Sequence, residues 1–107
     1  MILEVAHLDI GRGICQEFEV AMQKAAPLIA SAPGYISLEV RRCHEKVNRY
    51  ILLVQWETME AHMVGFRQSP EYPVWRKLLH HYYDPFPIVE DYGEPVVADN
   101  RPAPGTS

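Results

Sequence analysis

The sequence predicts a single α+β domain of the ferredoxin-like βαββαβ type, a four-stranded antiparallel sheet with helices on one face. Three observations carry this. The hydrophobic period changes in the order strand, helix, hairpin, helix in two pieces, strand. Strong turn signals separate the segments at Gly11-Arg12-Gly13, Ala32-Pro33-Gly34 and His44 to Asn48. The 107 residues are enough to fill one core and too few for two.

Residues 2 to 10 read as a strand with Leu3, Val5 and His7 on one side and Glu4, Ala6 and Leu8 on the other. From Ile14 the period becomes helical, with Ile14, Phe18, Met22, Ala25 and Ile29 on one face. Pro27 predicts a kink or break near residues 23 to 27, because proline removes a backbone bond and crowds the preceding turn. Tyr35 to Cys43 alternates, with Ile36, Leu38 and Val40 on one face, and pairs through a polar turn with Arg49 to Trp56. In that second arm Tyr50-Ile51-Leu52-Leu53-Val54 is apolar at nearly every position, the pattern of a strand covered on both faces. Thr58 can cap a helix whose stripe is Met59, His62, Met63 and Phe66. Ser69-Pro70 starts a second helical piece carrying Tyr72, Trp75, Leu78, Leu79 and Tyr82. Asp84-Pro85-Phe86-Pro87 ends it, and Ile88 to Tyr92 forms the last strand. The domain is expected over residues 1–93, and residues 94–107, rich in proline and small polar residues, as a flexible tail.

Helices on one face leave the other face of the sheet bare. A sheet whose central arm is apolar on both sides needs a cover there, so a homodimer through the sheet face is predicted. The formal charge of -4 argues against nucleic acid, whose binding requires a cationic footprint. No segment approaches the roughly 20 apolar residues of a membrane span. The first ten residues lack a basic region and a cleavage site, which points to a cytoplasmic protein. Cys15 and Cys43, far apart and without CxxC spacing, fit reduced thiols. Metal binding is not indicated: His80 and His81 are adjacent and so point about 100° apart on a helix, and no HExxH spacing occurs. Gly11-Arg12-Gly13 lacks the third glycine of a nucleotide fingerprint, with Gln16 in its place.

Trp56-Glu57-Thr58-Met59-Glu60-Ala61-His62, then Phe66, then Ser69-Pro70-Glu71-Tyr72 with Trp75 following, resemble the antibiotic biosynthesis monooxygenase family, as does Ala32-Pro33-Gly34 before the second strand. The resemblance covers roughly residues 1 to 92. It implies a dimeric α/β barrel, with a cavity between sheet and helices, and an oxygenase that needs neither metal nor flavin. Such chemistry calls for a small aromatic or quinol-like substrate that loses a proton and passes electrons to dioxygen itself. The protein then supplies a base, an apolar pocket and exclusion of water. Heme degradation, known among relatives, is disfavoured because Arg76 stands where those relatives carry the iron-ligating histidine. A non-catalytic ligand-binding or stress-related dimer is the alternative, since this fold hosts several activities.

The candidate catalytic residues are His62 and His7. His62 shares its stripe with Met59 and Phe66, so its ring turns towards the sheet. Imidazole titrates at about pH 6.5 when unperturbed, which suits a base, though a helix-packing role fits the same position. His7 shares a strand face with Leu3 and Val5, near where heme-degrading relatives place an asparagine, and is either a donor to bound oxygen or a polar strand-end residue. Trp56, Tyr72, Trp75, Phe66 and Tyr82 are the candidate substrate-binding residues. They either line a pocket for a planar ligand or belong to the core.

Overall fold

The computed structural model describes residues 1–99. Strands β1 (Ile2–Asp9), β2 (Tyr35–Arg42), β3 (Arg49–Trp56) and β4 (Val89–Tyr92) form one antiparallel sheet in the order β2-β3-β1-β4. Helix α1 (Cys15–Ala30) links β1 to β2, and between β3 and β4 lie a π-helical segment (Ala61–Phe66), helix α2 (Glu71–Leu79) and a short 3-10 turn (His80–Tyr82). This is the ferredoxin-like order, with the helices packed on one face.

The strand faces follow the pleat. Glu4, Ala6 and Leu8 of β1 and Tyr50, Leu52, Val54 and Trp56 of β3 are buried under the helices, against Phe18, Met22, Ala25 and Ile29 of α1 and Trp75 and Leu79 of α2. The opposite face carries Leu3, Val5, Ile51 and Leu53 at its centre, half-buried without any helix over them. Around them stand Glu39, Arg41, Arg49, Gln55 and Glu90.

Two helical expectations change. Helix α1 runs unbroken through Pro27. Pro27 and Gln23, whose carbonyl loses its usual partner, both lie on the exposed side, so solvent can serve that carbonyl and the apolar stripe is unaffected. Met59 and Met63 do not share the buried stripe of His62 and Phe66; they are 46% and 40% exposed. The π winding explains this: its turns close five residues back instead of four, as in the bond from Arg67 N–H to the His62 carbonyl at 3.2 Å. The wider turn keeps only His62 and Phe66 facing the sheet. Thr58 caps the segment as expected, its Oγ1 accepting from the Ala61 N–H at 3.1 Å. Cys15 and Cys43 are free thiols. Of the expected tail, residues 94–99 form neither helix nor strand, and Glu94 holds the terminal ammonium of Met1 at 2.6 Å; residues 100–107 lie outside the described residues. Among the described residues no helix is long and apolar enough to cross a membrane.

Gly34 fixes where the helical layer meets the sheet. It has φ +86°, and a Cβ there would stand 2.6 Å from the Ala61 Cβ; its carbonyl accepts from the Glu57 N–H at 2.8 Å. Both the left-handed backbone and the close approach require glycine. Gly34→Ala is expected to lower stability by roughly 1–3 kcal/mol. Gly13→Ala, at φ +77° but with open space around it, should cost less, about 1 kcal/mol. Urea unfolding of the two variants checks this, and equal losses would remove the Ala61 contact from the account.

Candidate active site

A cavity of about 340 Å³ lies between the sheet and the helical layer. β1 supplies Glu4 to its wall, the π segment supplies His62 and Phe66, and α2 supplies Tyr72 and Trp75. Arg67, His80 and Tyr83 also face it.

His62 is 2% exposed and held on three sides. Its Nδ1 lies 2.9 Å from Asp91 Oδ1, and since a carboxylate accepts, the ring donates there. Its Nε2 lies 3.3 Å from Glu4 Oε1. Its face stacks on Trp56, with ring centroids 5.4 Å apart and planes 12° from parallel. The Trp56 indole N–H donates in turn to Glu4 Oε1 at 2.9 Å. β-Sheet register brings the two carboxylates together: Glu4 and Asp91 are cross-strand partners of β1 and β4, so they project from the same face.

Burial raises the Glu4 carboxyl above its ordinary value, while His62, the Trp56 N–H and, further off, Arg67 favour its ionised form less strongly. Burial chiefly, and then the nearby Glu4, raises the Tyr83 hydroxyl. Glu4, His62 and Asp91 also turn one donor atom each to within 4.8 Å of one another. An imidazole and two carboxylates can serve a divalent cation. A cation drawing on Nδ1 would have to displace the proton that Asp91 accepts.

The predicted site residues divide into three groups. His62, Phe66, Tyr72 and Trp75 line one cavity. Trp56 is fully buried behind His62 and supports the ring from below. His7 and Tyr82 lie elsewhere. His7 is exposed on the opposite face of the sheet, because residues of odd number in β1 point away from the helices, and the structure does not bring it together with His62. Tyr82 lines a groove between α1 and α2 and packs edge-on to Phe18. Glu4, Asp91 and Arg67 were not singled out from the sequence, and His80 was weighed there only as a metal ligand. The signal for Glu4 was its place in an otherwise apolar row with Ala6 and Leu8.

The strand order β2-β3-β1-β4 with helices on one face defines the class, an α+β ferredoxin-like protein. A family model for antibiotic biosynthesis monooxygenases matches residues 1–78, and the chain belongs to that family. It is 49% identical over 92 residues to YczJ of Bacillus subtilis (strain 168), an uncharacterised protein, covering 86% of this chain and 97% of that one. Among solved structures, a candidate antibiotic biosynthesis monooxygenase from Bordetella bronchiseptica is 35% identical with TM-score 0.83, over 89% of this chain and 97% of its own. SnoaB from Streptomyces nogalater, a cofactor-independent oxygenase, shares the fold at TM-score 0.79 and 17% identity, over 92% of this chain and 97% of its own.

Because the unfolded Glu4 titrates near its ordinary 4.5 and the folded one higher, the folded state holds more protons between the two values. Stability from this group therefore falls as pH rises through that window and stays lower above it. Glu4→Gln keeps an acceptor for Trp56 and abolishes this titration. The variant should show a flatter stability–pH curve from about pH 4.5 upward, followed by urea unfolding. A wild-type curve that rises across the same window would contradict the assignment.

Proposed function

We propose that the protein is a cofactor-independent monooxygenase acting on a small electron-rich phenol or quinol-like compound, with His62 as the base. The supporting observation is the setting of His62: one nitrogen is fixed by Asp91, and the other faces Glu4 at the wall of a cavity lined by aromatic rings. A ring oriented by a carboxylate at one nitrogen is ready to accept a proton at the other. The shared fold with SnoaB, a cofactor-independent oxygenase, supports this reading.

The reaction balances without a further reductant. A phenol gives its hydroxyl proton to His62 Nε2, and the electron-rich anion passes electrons to dioxygen. One oxygen atom bonds to the ring carbon opposite the hydroxyl. The second leaves as water with the two hydrogens the substrate loses, and a quinone remains. The protein's part is to take the proton, hold the ring against Phe66, Tyr72 and Trp75, and keep water from the anion. Phe66 meets Tyr72 and Trp75 edge-on, at centroid distances of 5.4 and 5.6 Å, so the three rings form one aromatic wall of the cavity against which a planar ring can lie.

His62→Ala is expected to lower kcat roughly 10²- to 10⁴-fold in oxygen uptake with a panel of hydroxyanthrones and of phenols unsubstituted opposite the hydroxyl. Dialysis against a chelator should leave the wild-type rate unchanged. A rate lost to the chelator and restored by a divalent ion would replace this reading by a metal-dependent one at Glu4, His62 and Asp91. If the panel binds without oxygen uptake, the protein is a ligand-binding dimer of the same fold.

The uncovered apolar centre of the sheet, Leu3, Val5, Ile51 and Leu53, supports a homodimer through that face. Its charged rim mixes both signs, which suits a self-complementary contact. Leu53→Arg should shift the mass in sedimentation equilibrium from dimer to monomer at micromolar concentration. An already monomeric wild type would remove the dimer from the proposal.

A further inference from the structure

The cavity is electrically two-ended. Glu4 lines the cavity beside His62, and Asp91 holds the far side of that ring, so an anion placed there would meet the Glu4 carboxyl with a second carboxylate behind the imidazole. The helical side carries a cation, Arg67, which follows the π segment, with the imidazole of His80, the residue after α2, beside it on the same cavity.

Arg67 differs from the arginines of the sheet. Arg41, Arg42 and Arg49 each hold a carboxylate, on Glu39, Glu19 and Asp9. The Arg67 side chain makes no hydrogen bond or ion pair among the described residues; only its backbone N–H is engaged. Its charge acts inward: it favours the ionised form of Glu4 and opposes protonation of His80, whose imidazole is lowered first by burial and then by Arg76 and Arg67. A guanidinium on a cavity wall without a carboxylate partner presents a planar fork of donors that matches a carboxylate in two parallel hydrogen bonds.

We infer that the ligand of this cavity is a small aromatic acid, its carboxylate against Arg67 beside His80 and its hydroxyl directed to His62 and Glu4. The volume of about 340 Å³ holds one or two fused rings with these substituents. The charge asymmetry favours one orientation, because turning the molecule end for end would set its carboxylate against Glu4. The hydroxyl's role rests on the proposed oxygenation, whereas the carboxylate contact does not.

Calorimetric titration of the full chain with a dihydroxybenzoate, its methyl ester and a hydroxyphenyl phosphate tests this. The acid should bind about tenfold or more tightly than the ester, the effect of a charge-assisted hydrogen-bonded pair. Arg67→Gln should abolish that preference and leave the ester's affinity unchanged; circular dichroism verifies that this exposed position does not disturb folding. Equal binding of acid and ester, binding of neither, or an unchanged preference in Arg67→Gln overturns the inference. Tighter binding of the phosphate than of the acid overturns the carboxylate assignment. Oxygen uptake is read separately. Preferential acid binding without uptake retains the anion site and removes the oxygenation, whereas oxygen uptake with a neutral phenol without acid preference does the reverse.

Discussion

A carboxyl group placed under the helices is the constraint around which this molecule is arranged. Glu4 stands in the row of β1 that the helices cover, between apolar neighbours, and is 6% exposed. An unmatched carboxylate there would be costly enough to neutralise or to disrupt the fold. Trp56 supplies one N–H, His62 stands at ion-pair distance, and Asp91 holds the far side of the imidazole. Each partner comes from a different element, so the acid ties β3, the π segment and β4 to β1. The same contacts that satisfy a buried charge give an imidazole a fixed orientation at a cavity. Stability and candidate chemistry thus share one set of atoms.

Register is what makes this set possible. Trp56 faces Ile2 across the β1–β3 ladder, and Asp91 faces Glu4 across β1–β4, so the indole, the acid and the second carboxylate rise from one face of the sheet. A shift of a single residue in either ladder would send one of them to the opposite side. Gly34 adds a limit from above, since only its missing side chain lets the chain pass within contact of Ala61, one residue before His62.

Much of the fold was legible because it depends on period and punctuation. The strand faces of β1 and β3, the hairpin, the cap at Thr58 and the order of elements all follow local rules that the chain obeys. The failures came where a local rule met a tertiary condition. Pro27 does not break α1, since the backbone group it leaves free faces solvent. Met59 and Met63 fit an α-helical stripe, but the segment is wound as a π helix. The site was legible in part for the same reason. His62, Phe66, Tyr72 and Trp75 carry helical spacing that turns them inward, whereas Asp91 sits in a four-residue strand at the far end of the chain and meets His62 only through sheet pairing. His7 was the second catalytic candidate, yet one step of the pleat separates it from Glu4's neighbours and puts it on the other face.

The π segment links the two ends of the cavity. Its widened turn places His62 and Phe66 on the sheet side, and the bond from the Arg67 N–H to the His62 carbonyl joins these two residues directly. An α-helical turn in the same place would rotate Arg67 relative to His62 and carry it away from this alignment. π winding is less favourable than α winding and is often retained at functional sites. Here it explains how five residues of separation in sequence set His62 and Arg67 on one cavity while the carboxylates remain on the sheet.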